Sequence, residues 1–301
     1  MNKVILLFID GVGIGNEDYS ANPFFKYGFK TFESLFNTIP SLKNNTLVND
    51  GYYLFPTDAR LGVEGLPQSG TGQTSIFCGI NAPKFIGQHF GPYPYSTLVP
   101  IIKEKNIFKY FLDKNNSVSF VNAYPQLFFD YIDSGRRRLS VTTLSCTLNN
   151  MRLNKITDLR RGKAISAEIT NEIWKSKLNY NLRRIKPETA ARRLLRISEK
   201  HQLTVYEYFI TDHLGHGRNS ESLESTVRIL DQFLYTIFTE FNKKDTTIIL
   251  CSDHGNFEDI SVKSHTLNPS LTMSAGRNAR DVFDTVKDIS EFKQKIIELT
   301  E

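Results

Sequence analysis

The sequence predicts an α/β fold: a mostly parallel central sheet flanked by helices. Two observations lead there. Short apolar runs at residues 4–9, 118–121, 205–210 and 248–251 read as buried strands. Helical stretches lie between them, and strands that alternate with helices assemble as parallel sheets covered on both faces. A third observation is chemical. Asp10, Asp212 and Asp253 each stand just past an apolar run, and the carboxyl ends of strands are where such folds gather their sites.

Taken in order, the first run is Val4-Ile5-Leu6-Leu7-Phe8-Ile9 followed by Asp10-Gly11. It is too short for a membrane span and lacks the small-residue cleavage site of a signal peptide, so a buried strand is expected. Gly65, Pro67, Gly70 and Gly72 then read as a turn whose backbone can approach a ligand closely. Residues 75–78, closed by Gly79, look like a short helix opening directly behind Thr74. That would put the Thr74 hydroxyl at a helix N-terminus, where N–H groups and the dipole stabilise anions. From about 83 to 200 the pattern is less regular, and residues 135–182 are expected to form a small cap or elaborated crossover within a single catalytic domain spanning 1–301. Pro187 and Glu188 suit a first helical turn, with Ala191, Leu194 and Leu195 on the inner face. Leu223, Val227, Leu230, Leu234 and Ile237 recur at helical spacing and predict a helix over 220–241.

Composition bounds the rest. Hydrophobic residues make up 40% and charged residues 23% of the 301, as in a soluble globular enzyme. Cys78, Cys146 and Cys251 form neither a disulfide framework nor a metal pair, so a cytoplasmic setting is expected. The net charge of +5 is uneven, because residues 136–200 carry four clusters of adjacent arginines with few acids. Such a segment can steer an anionic substrate or touch nucleic acid, or be a solvated helical surface.

The chemistry-bearing residues are Asp10, Thr74, Asp212, His216, Asp253, His254 and His265. Each alone has a plain explanation, since a lone histidine is most often a hydrogen-bonded structural residue. Together they supply enough donors for two adjacent cations and a nucleophile. Asp212 and His216 are four apart, so on a helical turn they share a face. Asp253 and His254 are neighbours after a strand and point to different sides. Mixed carboxylate and imidazole donors suit Mn or Zn, with Mg the weaker match to histidine.

Several motifs here resemble the alkaline phosphatase superfamily of two-metal enzymes, in the branch of cofactor-independent phosphoglycerate mutase and phosphopentomutase. Asp10-Gly11-Val12-Gly13-Ile14-Gly15 is similar to the first metal-ligand motif of that branch. The stretch from Gly65-Leu66-Pro67 to Thr74 resembles its nucleophile loop, and Ser252-Asp253-His254-Gly255-Asn256 and His265-Thr266 resemble its last two ligand motifs. The resemblance implies one cation on Asp212, His216 and His265 and another on Asp10, Asp253, His254 and the Thr74 oxygen. It implies phosphoryl transfer through a phosphothreonine, by a phosphatase or phosphodiesterase acting on a small phosphorylated metabolite. A phosphomutase is the alternative, and a nucleic-acid-binding protein with a vestigial metal site is the remote one.

The chain lacks the Gly-Gly-Val-His-Ser-His segment of the phosphoglycerate mutases and the Cys/Ser-x-Pro-x-Arg sequence of the sulfatases. His89, Arg136 and Arg137 are the candidate substrate contacts, while Cys78 and Trp174 read as packing residues. Neither a membrane nor a nucleic acid is the expected partner.

Overall fold

The computed structural model describes residues 2–136, 138–218 and 222–301. Its strands are β1 (Lys3–Ile9), β2 (Leu47–Asn49), β3 (Tyr52–Thr57), β4 (Val118–Phe120), β5 (Leu203–Tyr208), β6 (Thr246–Cys251) and β7 (Ser270–Gly276). They form one sheet in the order β2-β3-β7-β6-β1-β5-β4. β1 lies parallel between β5 and β6, and β4 continues the parallel half beyond β5. On the other side, β7, β3 and β2 are added antiparallel to one another. The expected parallel core is present, and the sheet as a whole is mixed.

β1 is buried along almost its whole length because helices cover both faces. Ile5, Leu7 and Ile9 enter one apolar cluster, Val4, Leu6 and Phe8 the other, as the two-residue period of a strand requires. The first cluster is closed by the helices Pro187–Ser198 and Leu223–Glu240. Along the latter, Val227, Leu230, Leu234 and Ile237 are buried as their spacing predicts, and the Ser222 side chain caps the helix by accepting from the Ser225 N–H at 3.0 Å. Ser220, where the sequence places its start, lies outside the described residues. The second cluster is closed mainly by the helices Ser69–Cys78, Ile107–Asp113 and Phe292–Thr300.

The 135–182 interval contains the short helices Val141–Leu148, Ile156–Arg160 and Glu172–Ser176. Leu159, Ala164, Trp174 and Leu182 pack with Ala123 in a small cluster apart from the two that cover the sheet. Among the described residues no helix is long and apolar enough to cross a membrane.

Register places the site. Ile9 of β1 is level with Tyr208 of β5, and Phe8 is level with Cys251 of β6. The chain therefore leaves three adjacent parallel strands at one height, and Asp10, Asp212 and Asp253 all emerge along one edge.

Candidate metal centre

Asp10 begins the turn after β1, held by its N–H on the Tyr208 carbonyl at 2.9 Å. Gly11 follows at φ +70°, and the Cβ of Asp212 would lie 3.0 Å from any Cβ added there, so both conformation and space call for glycine. Asp212 sits in the helix Ile210–Gly215, and its Oδ1 lies 3.3 Å from His216 Nε2 and 3.5 Å from His265 Nε2. Asn256 Nδ2 donates to the same oxygen at 2.8 Å. His254 is fully buried, with Nε2 3.4 Å from Asp10 Oδ1 and 3.6 Å from Asp253 Oδ2. Two donor groups result: Asp212 with His216 and His265, and Asp10 with Asp212 and His254, the atoms of each lying within 4.8 Å of one another. Asp212 belongs to both.

These residues fit a pair of cations for two structural reasons. The first is orphaned oxygen. Asp10 Oδ1, Asp253 Oδ2, Gln73 Oε1 and Asn256 Oδ1 are buried acceptors without a hydrogen-bond partner, and burying such atoms unsatisfied is costly. The second is tautomer control. His216 Nδ1 donates to the Lys263 carbonyl at 2.7 Å and His265 Nδ1 to the Pro67 carbonyl at 2.6 Å. Each ring thus turns its Nε2 toward Asp212 with the two nitrogens 3.1 Å apart, as ligating histidines are oriented by an outer carbonyl.

Electrostatics points the same way. Burial, then repulsion from Asp253 and Asp212, raises the Asp10 carboxyl well above its ordinary range. Burial and the Asp212 charge push Asp253 up to about 7, and burial with the neighbouring His265 pushes His254 down to about 3. Burial would also raise Asp212, but the His265 hydrogen bond, His254, Asn256 and His216 together outweigh it and hold that carboxyl low. His265 moves up against its own burial because of Asp212 and the Pro67 carbonyl.

The hydroxyl is where structure and sequence part. The helix behind the glycine-rich stretch is Ser69–Cys78, so it opens five residues before Thr74. Thr74 is fully buried inside it, and its Oγ1 donates back to the Gly70 carbonyl at 2.6 Å. It is not among the residues lining the pocket described next. Ser69 is the first helical residue; its Oγ is 3.0 Å from His254 Nε2 and it lines that pocket. Gln73 also turns inward and donates to Asp10 Oδ2 at 3.1 Å.

The pocket holds about 600 Å³ and includes Asp10, Ser69, Gln73 and Asp212 among its lining residues. Tyr93, Tyr124, Phe128 and Trp174 supply apolar wall, and Arg138, His213 and Arg218 supply cationic or polarisable groups. Glu207 reaches it from β5; burial pushes its carboxyl up to about 7 although Thr142 Oγ1 donates to it at 2.5 Å. Of the three candidate substrate contacts, His89 is bound instead to the Val63 carbonyl at 3.3 Å and Arg136 lies over the Tyr131 ring at 5.5 Å. Neither lines the pocket, and Arg137 lies outside the described residues. The sequence signal for Ser69 was its place one residue after the Pro67-Gln68 entry to a helix; nothing local distinguishes Arg138, His213 or Arg218 from surface residues.

Comparison with known proteins agrees with this architecture. No curated protein sequence matches the chain. Three solved structures have similar folds at a TM-score of 0.55: the PH0037 protein from Pyrococcus horikoshii at 11% identity, the alkaline phosphatase from the Antarctic bacterium TAB5 at 15%, and a cold-active alkaline phosphatase from Shewanella sp. at 9%. They cover 99%, 99% and 98% of this chain and 96%, 98% and 99% of their own. Residues 153–294 match the family model described as Metalloenzyme superfamily, a span that contains five of the six aspartates and histidines at the site and leaves out Asp10 and Ser69. Residues 153–294 are thus similar to the Metalloenzyme superfamily, and the chain as a whole has a fold like that of the alkaline phosphatases.

Proposed function

We propose that the protein is a metal-dependent phosphoric ester hydrolase acting on a small soluble phosphate ester, with Ser69 rather than Thr74 as the nucleophile. The observation that carries this is the convergence of three aspartates and three histidines, with orphaned oxygens and inward-facing Nε2 atoms, beside one helix-starting hydroxyl. Asp212, His216 and His265 would hold one divalent cation, and Asp10, Asp253 and His254, with Asp212 near, the other. Mn or Zn suits this mixed donor set, and a cytoplasmic setting suits the three buried free cysteines. Bound cations would lower the pKa of the serine hydroxyl and offset charge on the phosphoryl oxygens.

The chain's own contribution is positioning. The first turn of Ser69–Cys78 presents the nucleophile together with helix-end N–H groups, which stabilise an approaching phosphoryl oxygen. Gln73 holds Asp10 in place, and Asn256 does the same for Asp212. The 135–182 segment supplies Arg138, Leu139, Ser140, Thr143, Glu168 and Trp174 to the pocket, and we read it as a cap that selects the alcohol portion of the ester. A cavity of about 600 Å³ with aromatic walls suits a metabolite-sized leaving group with a flat or apolar part.

The test is phosphate release from an aryl phosphate by protein loaded with Mn or Zn. Activity that EDTA removes and the metal restores is expected. Stable phosphorylation of Ser69 with transfer to a second hydroxyl, and no free phosphate, would replace hydrolase by phosphomutase. Loaded protein that turns over no phosphate ester would end the proposal.

A further inference from the structure

A second concentration of charge lies away from the metal centre. Arg160 and Arg161, at the end of the helix Ile156–Arg160, face Arg192, Arg193 and Arg196 of the helix Pro187–Ser198 across a cavity of about 520 Å³. It shares no lining residue with the pocket that contains Ser69 and Asp212. Gly162 lets the two sides approach: a Cβ there would stand 3.1 Å from Arg196 Nη2 and 3.5 Å from Arg193 Nε.

These guanidiniums are not neutralised in place. Arg192 has its own counter-ion, donating twice to Glu240 at 2.8 and 2.7 Å. Arg196 donates to the Gly162 carbonyl at 2.9 Å, which satisfies one N–H and leaves the charge uncompensated. Arg160, Arg161 and Arg193 make no ion pair among the described residues, and Asp158, which feels the Arg161 charge, is already engaged by Arg152 at 2.7 Å. Arg193 Nη1 is buried with no partner at all. Burial and the adjacent Arg196 hold the Arg193 guanidinium below its ordinary range, the mark of cations crowded without an anion. A solvated arginine surface would spread these groups into water; here one donor is sealed and waiting.

We propose that this cavity is a binding site, distinct from the metal centre, for a small soluble anion carrying two linked phosphate groups. Guanidinium forks match phosphate oxygens two at a time, and four unpaired cations around one cavity suit several charges on a compact ligand. A nucleic-acid strand is the poorer occupant. The lining contains only arginines, Gly162 and Thr189, so no aromatic surface is available for stacking bases.

Calorimetric titration of the full chain with sodium pyrophosphate at low ionic strength tests the site, first metal-loaded and then after EDTA treatment. The EDTA-treated chain is expected to keep one binding event that weakens with added salt. Arg161→Gln combined with Arg193→Gln should weaken it about tenfold or more, because two charge-assisted contacts are lost. Ser69→Ala should leave it unchanged. If the double variant does not fold, the exposed Arg160→Gln replaces it, with a weakening of roughly threefold or more expected. Absence of binding to the EDTA-treated chain, unchanged affinity in the arginine variants, or binding to a short RNA oligonucleotide but not to pyrophosphate would each overturn the proposal.

Discussion

The metal centre and the arginine cavity are both clusters of like charge, yet they meet that problem differently. At the centre burial, and then mutual repulsion, raises two of the acids, and the answer is imidazoles and orphaned oxygens aimed at the same points. In the cavity four of the five arginines are exposed, water screens them, and only Arg193 Nη1 is sealed. The first arrangement demands its counter-ion as part of the structure. The second accepts one reversibly. Burial, more than the number of charges, decides whether a charged cluster becomes a permanent site or an exchanging one.

The largest effect that sharpens this contrast is on turnover. Ser69→Ala is expected to lose on the order of a thousandfold or more in kcat on an aryl phosphate, while Thr74→Val stays near full activity and loses about 1 kcal/mol of stability with the Gly70 hydrogen bond. The reverse ranking would return the nucleophile to Thr74. Metal content measured by mass spectrometry comes next. Asp212→Asn should lose both ions, because Asp212 stands in both donor groups, and His216→Ala should lose one. Equal losses would mean the groups are not shared as the geometry implies.

A pH effect in the metal-free protein is smaller. The Glu207 carboxyl ordinarily titrates at 4.5 and is raised to about 7 by burial. Below 4.5 both folded and unfolded chains keep the proton. Between 4.5 and about 7 only the unfolded chain releases it, so stability falls as pH rises and levels off above 7. Thermal melting of Glu207→Gln between pH 5 and 7 should show a shallower decline than wild type; an identical slope would remove Glu207 as its cause. The smallest expected change belongs to the cavity: Arg160→Gln should alter the melting stability by less than about 0.5 kcal/mol. A larger loss would make that arginine part of the fold's own support.

What the sequence could show followed burial as well. β1 is legible because a parallel strand covered on both faces is almost wholly apolar, and β6 through its Ile248-Ile249-Leu250 run. β7 is not, since Ser270, Thr272 and Ser274 alternate with Leu271, Met273 and Ala275; Thr272 Oγ1 lies 2.9 Å from Thr57 Oγ1 across the sheet, and Ser274 Oγ donates to the Ala279 carbonyl at 2.8 Å. Asp10, Asp253 and His254 are legible because strand ends announce them, and Asp212 with His216 because they stand four apart in the helical turn after β5. The setting of Thr74 differs from the one its sequence suggests for a definite reason: Gly70 and Gly72 look like turn residues but lie inside a helix. A Cβ at Gly70 would collide with the Tyr93 carbonyl, and one at Gly72 would lie 2.9 Å from Asp253 Cβ. Glycine there serves tight packing rather than a bend, and local sequence cannot tell the two apart. Arg138 and Arg218 are illegible as pocket residues because only tertiary folding brings them to one place.

The loop after Asp10 is tied to the far end of the chain, with the Ile14 N–H on the Pro269 carbonyl at 2.9 Å, the Leu271 N–H on the Val12 carbonyl at 3.0 Å, and the Val12 N–H on Ser252 Oγ at 2.8 Å. A polypeptide cut before His265 would have Asp10 without that histidine and without the strand that clamps its loop. Assembly of the centre therefore waits on residues far along the chain from Asp10, and a polypeptide cut before them would lack one member of the Asp212, His216 and His265 group.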